Sequence, residues 1–223
     1  MRTETAHARL RELILDGGYP PGARLTELEV AAALEMSRTP VREAFRALAA
    51  DGLVEAAGRG VRVVALDAEA LGHGYRVRAA LEGLAAELAA ERQRAGRLAP
   101  ADLDDLDALA DRTHRATAEG RLTEAVRLNR RFHRRIAELA ANPIALHTLD
   151  RLWDRLQVST RTSLTPPGRT GLVDDQHREL LAAIRAGDPA GAHAAARRHV
   201  LDTGTAHRAT AAPTAAADDD DTE

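Results

Sequence analysis

From Asp67 onward the chain keeps a single period. Apolar residues recur at helical spacing, and the only interruptions are turn-forming residues at Gly96 to Pro100, Gly120, Asn142-Pro143, Pro166-Pro167-Gly168 and Gly187-Asp188-Pro189. These breaks predict six helices, over 67–94, 100–118, 121–141, 143–164, 170–186 and 188–207. Six amphipathic helices of this length bury their stripes against one another, so an antiparallel bundle with one core is expected. Aromatic residues make up only 2% of the 223, which favours closely packed helices over sheets built from aromatic and β-branched pairs.

Residues 1–66 have a different organisation. Ala6 to Asp16 carries Leu10, Leu13 and Ile14 at helical spacing and is stopped by Gly17-Gly18-Tyr19-Pro20-Pro21-Gly22. A short helix follows over Thr26 to Leu34, with Leu28 or Val30, Ala31 and Leu34 inward. A third helix starts at Ser37, capped by Ser37 or Thr39, tolerates Pro40 in its first turn, and buries Val41, Ala44, Phe45 and Leu48 before Asp51-Gly52 ends it. Leu53-Val54-Glu55 and Val61-Arg62-Val63-Val64, joined through Gly58-Arg59-Gly60, predict a two-stranded hairpin. Two helices joined by a tight turn and followed by a hairpin describe a winged helix-turn-helix. The fold class is therefore mainly α, with a winged helix-turn-helix over 1–66 and a six-helix bundle over 67–208. The stretch 209–223, made entirely of Ala, Thr, Pro, Asp and Glu, is expected to be a disordered acidic tail.

The absence of cysteine removes disulfide frameworks, thiolate zinc sites and thiol nucleophiles. No apolar run approaches the roughly 18 residues that a membrane-spanning helix needs, and the first eighteen residues lack the apolar core of a signal peptide, so a cytoplasmic protein without a membrane partner is expected. The net charge is −3, but the last six residues contribute −5, so the overall sign does not exclude an anionic partner.

The outward face of the third helix carries Arg38, Arg42 and Arg46 at i, i+4 and i+8. Guanidinium suits both phosphate contact and bidentate reading of guanine in the major groove. Arg59 lies between two glycines that let backbone approach a phosphate or a minor groove. On the bundle helices, polar groups interrupt the inward stripes: Arg78 in the first, Asn129 and His133 in the third, His177 in the fifth and His199 in the sixth. Burying such groups unpaired costs about 1–3 kcal/mol each, so they are expected to satisfy one another, a metal or a ligand. Three imidazoles and an amide oxygen suit a first-row divalent metal, zinc first, with nickel or manganese as alternatives. A metal beside the Arg78 guanidinium suits a carboxylate. Glu82 pairs with Arg78 or packs at the bundle edge. An alternative use of the histidine pocket is metal-activated water in a hydrolase or hydratase.

Pro21-Gly22-x-x-Leu25, Glu27-x-x-Val30-Ala31-x-x-Leu34 and Ser37-Arg38-Thr39-Pro40-Val41-Arg42-Glu43-Ala44, followed by Leu48, Gly52-Leu53-Val54 and Gly60-x-x-Val63, resemble the DNA-binding domain of GntR-family transcription regulators. The resemblance implies that Arg38 and Arg42 contact the operator, Thr39 the adjacent phosphates and Gly60 the minor groove, with Ser37 and Arg46 beside them. Glu35 departs from the pattern, which has Gly in that turn. Arg78-x-x-Leu81-Glu82, Asn129-x-x-Phe132-His133, Ala141-Asn142-Pro143, His177-x-x-Leu180-Leu181, Gly187-Asp188 and His199 resemble the FCD effector domain of the same family. That resemblance implies metal ligation by His133, His177 and His199, with Asn129 where Asp is usual, and carboxylate contact by Arg78.

The expectation is a DNA-binding regulator, a repressor by family precedent. A homodimer would read a pseudo-palindromic double-stranded operator, and a small organic acid at a metal-containing pocket would control its affinity.

Overall fold

A computed structural model describes residues 5–160 and 170–210. The first helix, α1 (Ala6–Leu15), begins where the Thr5 hydroxyl accepts the Ala8 N–H, and it buries Ala6, Leu10, Ile14 and Leu15. A short strand, β1 (Arg24–Thr26), leads into α2 (Glu27–Leu34), which is started by a reciprocal Thr26–Glu29 capping box. Of the two residues expected inward, Val30 is buried whereas Leu28 is 69% exposed. Glu35 closes α2 in the left-handed region at φ 55°. Ser37 then takes the N-cap position of α3 (Arg38–Ala50) without a side-chain cap bond. Val41, Ala44, Phe45 and Leu48 form the buried stripe of α3, as its sequence requires.

The wing differs from the expected two-stranded hairpin. β2 (Val54–Ala57) and β3 (Gly60–Val63) pair antiparallel across Gly58-Arg59, and β1 pairs with the other edge of β3, giving a three-stranded sheet in the order β1-β3-β2. The physical reason is Gly60. A Cβ there would lie 2.1 Å from the Leu25 carbonyl oxygen, so the missing side chain lets β1 close on β3. Three residues are too few to show strand alternation in the sequence.

The remaining described helices are α4 (Ala68–Arg94), α5 (Pro100–Ala118), α6 (Leu122–Leu139), α7 (Pro143–Thr160), α8 (Thr170–Arg185) and α9 (Pro189–Thr210). The expected six-helix bundle is present. α4 packs along α9, α5 against α6, and α8 against α9. Leu106, Phe132, Leu180 and Ile184 lie fully buried between them, each contributing about 1.5–3 kcal/mol by leaving water. α9 continues to Thr210, beyond the expected limit at 207. The Pro166-Pro167-Gly168 break and positions 211–223 of the acidic stretch lie outside the described residues.

One face of α7 docks on the winged helix. Val158 joins the apolar core of the N-terminal half, and the Ser159 hydroxyl accepts the Leu66 N–H. The other face of α7 turns Leu149 and Trp153 into the bundle. This helix therefore joins both halves.

Candidate DNA-binding face and metal centre

The start of α3 presents Ser37, Arg38, Thr39, Arg42 and Arg46 to solvent, and Arg59 is exposed at the two-residue tip of the wing. Gly58 at φ +60° makes that tight turn possible. Gly60 is half-buried, and its lack of a side chain is accounted for by the approach of β1 rather than by any open surface.

A residue that sequence reasoning missed organises this face. Glu27, the first residue of α2, accepts Arg42 Nε at 2.6 Å and Arg42 Nη2 at 2.8 Å, and it also accepts Arg38 Nη2 at 3.0 Å. The Arg42 fork, with Arg38 behind it, lowers the Glu27 carboxyl to about 2. Glu27 precedes Arg38 by eleven residues, and no helical or strand period links the two, so the pairing leaves no local signal.

The second site lies inside the bundle. His133 on α6, His177 on α8 and His199 on α9 are 3%, 2% and 1% exposed, and a ligand atom from each lies within 4.8 Å of the others. Phe132 packs against His133 and His177 with ring centroids at 5.1 and 4.5 Å, sealing that side. Among the described residues, Nε2 of His133 and of His177 has no hydrogen-bond partner, nor has the buried Oδ1 of Asn129 one turn before His133 on α6. Burial, helped by the neighbouring His133, pushes His177 well below the ordinary imidazole value, so its ring is neutral and its lone pair available.

Arg78 and Glu82 come from α4. Arg78 is buried and donates its Nε to Glu82 Oε1 at 2.6 Å, with its guanidinium over the Tyr75 ring. Glu82 is 4% exposed and lies in the interior rather than at the bundle edge. Its Oε1 also accepts Trp153 Nε1 at 2.8 Å, and its Oε2 lies 2.9 Å from His133 Nδ1, close but off the line of a directed hydrogen bond. Burial alone would push this carboxyl up; the Arg78 guanidinium and the His133 ring outweigh it and hold Glu82 well below the usual carboxylate range. On the other side, His199 Nδ1 lies 3.0 Å from Gln176 Oε1, and Gln176 Nε2 donates to Asp202 at 2.7 Å.

A cavity of about 10 Å³ is lined by Glu82, Ala85, Ala86, His133, Ile136, Leu180 and Ala196. That is room for about one water or ion. The structure thus gathers the three histidines, whereas Arg78 reaches the cavity only through Glu82. Three buried imidazoles, two of them with an unpartnered Nε2, and an unpartnered amide oxygen fit a divalent metal.

Residues 73–202 match the FCD domain, and residues 2–63 match the family described as bacterial regulatory proteins, gntR family. A relative described as "Probable D-xylose utilization operon transcriptional repressor" in Paenarthrobacter nicotinovorans is 35% identical over 88% of this chain and 86% of that protein. HTH-type transcriptional regulator McbR of Escherichia coli (strain K12) is 30% identical over 82% of this chain and 81% of its own. The solved structure of E. coli McbR/YncC superposes with a TM-score of 0.77 at 26% identity, covering 91% of this chain and 94% of that one. The alternative of a hydrolase or hydratase falls with these matches, since the family and these relatives are regulators of transcription, not enzymes. Among the described residues no helix is long and apolar enough to cross a membrane. The chain belongs to the GntR family of bacterial transcriptional regulators, in the group that carries an FCD domain.

Proposed function

We propose that this chain is a cytoplasmic repressor that binds a pseudo-palindromic operator as a homodimer, and that a small organic acid at a metal-containing pocket lowers its operator affinity. The observation that carries the sensor half is the set of three buried histidines whose ligand atoms lie within 4.8 Å of one another, two of them with a buried, unpartnered Nε2. In this reading His133, His177, His199 and Asn129 hold a divalent ion, zinc first, with nickel or manganese as alternatives. The ion, when bound, supplies a Lewis-acidic centre for a carboxylate oxygen. Arg78 supplies the complementary guanidinium, so the incoming acid competes with Glu82 for it.

Residues 1–66 read DNA through Arg38 and Arg42, with Ser37, Thr39, Arg46 and the wing residues Arg59 and Gly60 alongside; 67–208 form the sensing and dimerising half. One recognition helix reads only a few base pairs, which is why two copies are needed. Repression is favoured by the 35% identical relative, a probable repressor of a D-xylose utilization operon.

The test is fluorescence anisotropy on a fragment of the chain's own promoter, with metal-loaded protein and a panel of mono- and dicarboxylates. One acid is expected to weaken operator binding of the wild type but not of Arg78→Ala. Equal binding with every acid, for both proteins, would contradict the sensor reading.

A further inference from the structure

Three neutral imidazoles and a neutral amide would leave a bound dication with its full charge in a site shut off from water, and the buried Arg78 guanidinium adds another positive charge nearby. Such an arrangement needs an anion in the interior. Two other carboxylates come into question, Asp154, which is buried, and Asp202, which is partly exposed. Asp154 is occupied by Arg11 at 2.7 Å and Arg130 at 2.6 Å. Asp202, partly exposed, accepts the Gln176 amide whose oxygen faces His199.

Glu82 is different on each count. It lines the same cavity as His133, and it is the only carboxylate that does so among the described residues. Its two oxygens are divided: Oε1 takes the donors Arg78 and Trp153, while Oε2 is buried, faces His133 Nδ1 at 2.9 Å and makes no aligned hydrogen bond. An ionised carboxylate at that distance draws the imidazole proton to Nδ1 and leaves a lone pair on the unpartnered Nε2. Partners of this kind on the far nitrogen orient metal-binding histidines and raise their basicity. Gln176 stands in the same relation to His199, but as a neutral amide.

Resting on the metal-pocket reading above, we propose that Glu82 is a positioning residue and the resident counter-charge of the three-histidine site: it sets the His133 tautomer and supplies the negative charge that the neutral Asn129 does not. The roles are separable. Charge can be moved to another position, whereas packing and tautomer control cannot.

The experiment is Zn²⁺ affinity of the full chain by competition with a chromophoric chelator, together with the visible absorption of the Co²⁺ form, for wild type, Glu82→Gln, Asn129→Asp and the double variant. Glu82→Gln is nearly isosteric and is expected to weaken Zn²⁺ binding about 10–100-fold and to alter the Co²⁺ band. Asn129→Asp is expected to tighten binding in the wild type and to recover at least tenfold of the loss in the double variant. A folded Glu82→Gln protein with wild-type affinity and an unchanged Co²⁺ spectrum overturns the proposal and leaves the metal pocket standing. Loss without recovery in the double variant overturns the counter-charge role. Should Glu82→Gln fail to fold, Asn129→Asp alone decides: unchanged Zn²⁺ affinity overturns the proposal. A wild type that binds neither ion overturns the pocket reading, and the proposal with it.

Discussion

The Arg11 guanidinium of α1 closes on the Asp154 carboxylate of α7 as a fork, Nε to Oδ2 at 2.7 Å and Nη2 to Oδ1 at 2.8 Å. It ties the DNA-reading half to the bundle through a carboxylate whose side chain is 7% exposed. Arg130, three residues before His133, holds the same carboxylate at 2.6 Å, and the neighbouring Trp153 donates to Glu82. Removing one partner of a buried pair costs about 3–5 kcal/mol. The Arg11 side chain is 35% exposed and Arg130 remains, so Arg11→Ala is expected to cost about 2 kcal/mol. Urea denaturation of the full chain checks this. A loss below about 0.5 kcal/mol would mean that Arg130 alone satisfies Asp154.

The Glu27 tether makes a pH prediction. Its folded value is about 2 against the ordinary 4.5. A depressed carboxyl contributes stability that is present above the unfolded value and lost as pH falls through the folded one. The Arg38–Glu27–Arg42 cluster therefore stays intact across pH 5 to 8 and loosens only between about 4.5 and 2. NMR titration of the Glu27 carboxyl is expected to give a midpoint near 2 that moves up toward 4.5 in Arg42→Ala. A midpoint near 4.5 in the wild type would show that the fork does not form in solution.

The same tether holds both arginines at the start of the recognition helix in one arrangement. Glu27→Ala frees them, so operator binding loses its preorganisation while attraction to any DNA rises. The ratio of specific to non-specific affinity is expected to fall roughly fivefold. Competition with random duplex at fixed salt measures it, and an unchanged ratio would show that Glu27 plays no part in reading sequence.

Gly60→Ala places a methyl 2.1 Å from the Leu25 carbonyl oxygen, a backbone atom that cannot yield without unzipping β1 from β3. The variant is expected to lose about 2–3 kcal/mol and to loosen the wing. Hydrogen exchange at the Val61 and Val63 amides locates the loss. Wild-type protection there would contradict the assigned role of Gly60.

Glu35 sits at φ 55° with its side chain exposed. A Cβ in the left-handed region costs about 1 kcal/mol, which glycine avoids. Glu35→Gly is thus expected to raise stability by about 0.5–1 kcal/mol without altering operator binding. A destabilised variant would mean that the Glu35 side chain makes a compensating contact.

Much of the fold can be read from punctuation. Glycine and proline mark the helix ends on the bundle side, and the stripe Val41-Ala44-Phe45-Leu48 announces the buried face of α3. β1 escaped because three residues carry no period and its pairing depends on an absent side chain sixty residues into the chain. The three histidines were visible as polar groups in apolar stripes, since each interrupts a helical period. Glu82 was visible too, but its i, i+4 spacing from Arg78 reads equally as a surface pair; only the arrival of Trp153 from α7 and His133 from α6 makes it interior. Glu27 and Asp154 act across long sequence separations, where local patterning carries no information.

The central claim is that the buried histidines hold a metal. Its most direct test is elemental analysis of full-length protein purified without chelator or nickel resin, beside His177→Ala. About one divalent ion per chain in the wild type, and its loss in a folded His177→Ala variant, is the expected result. Equal, substoichiometric metal in both proteins would contradict the claim and leave the three histidines as packing of the bundle core.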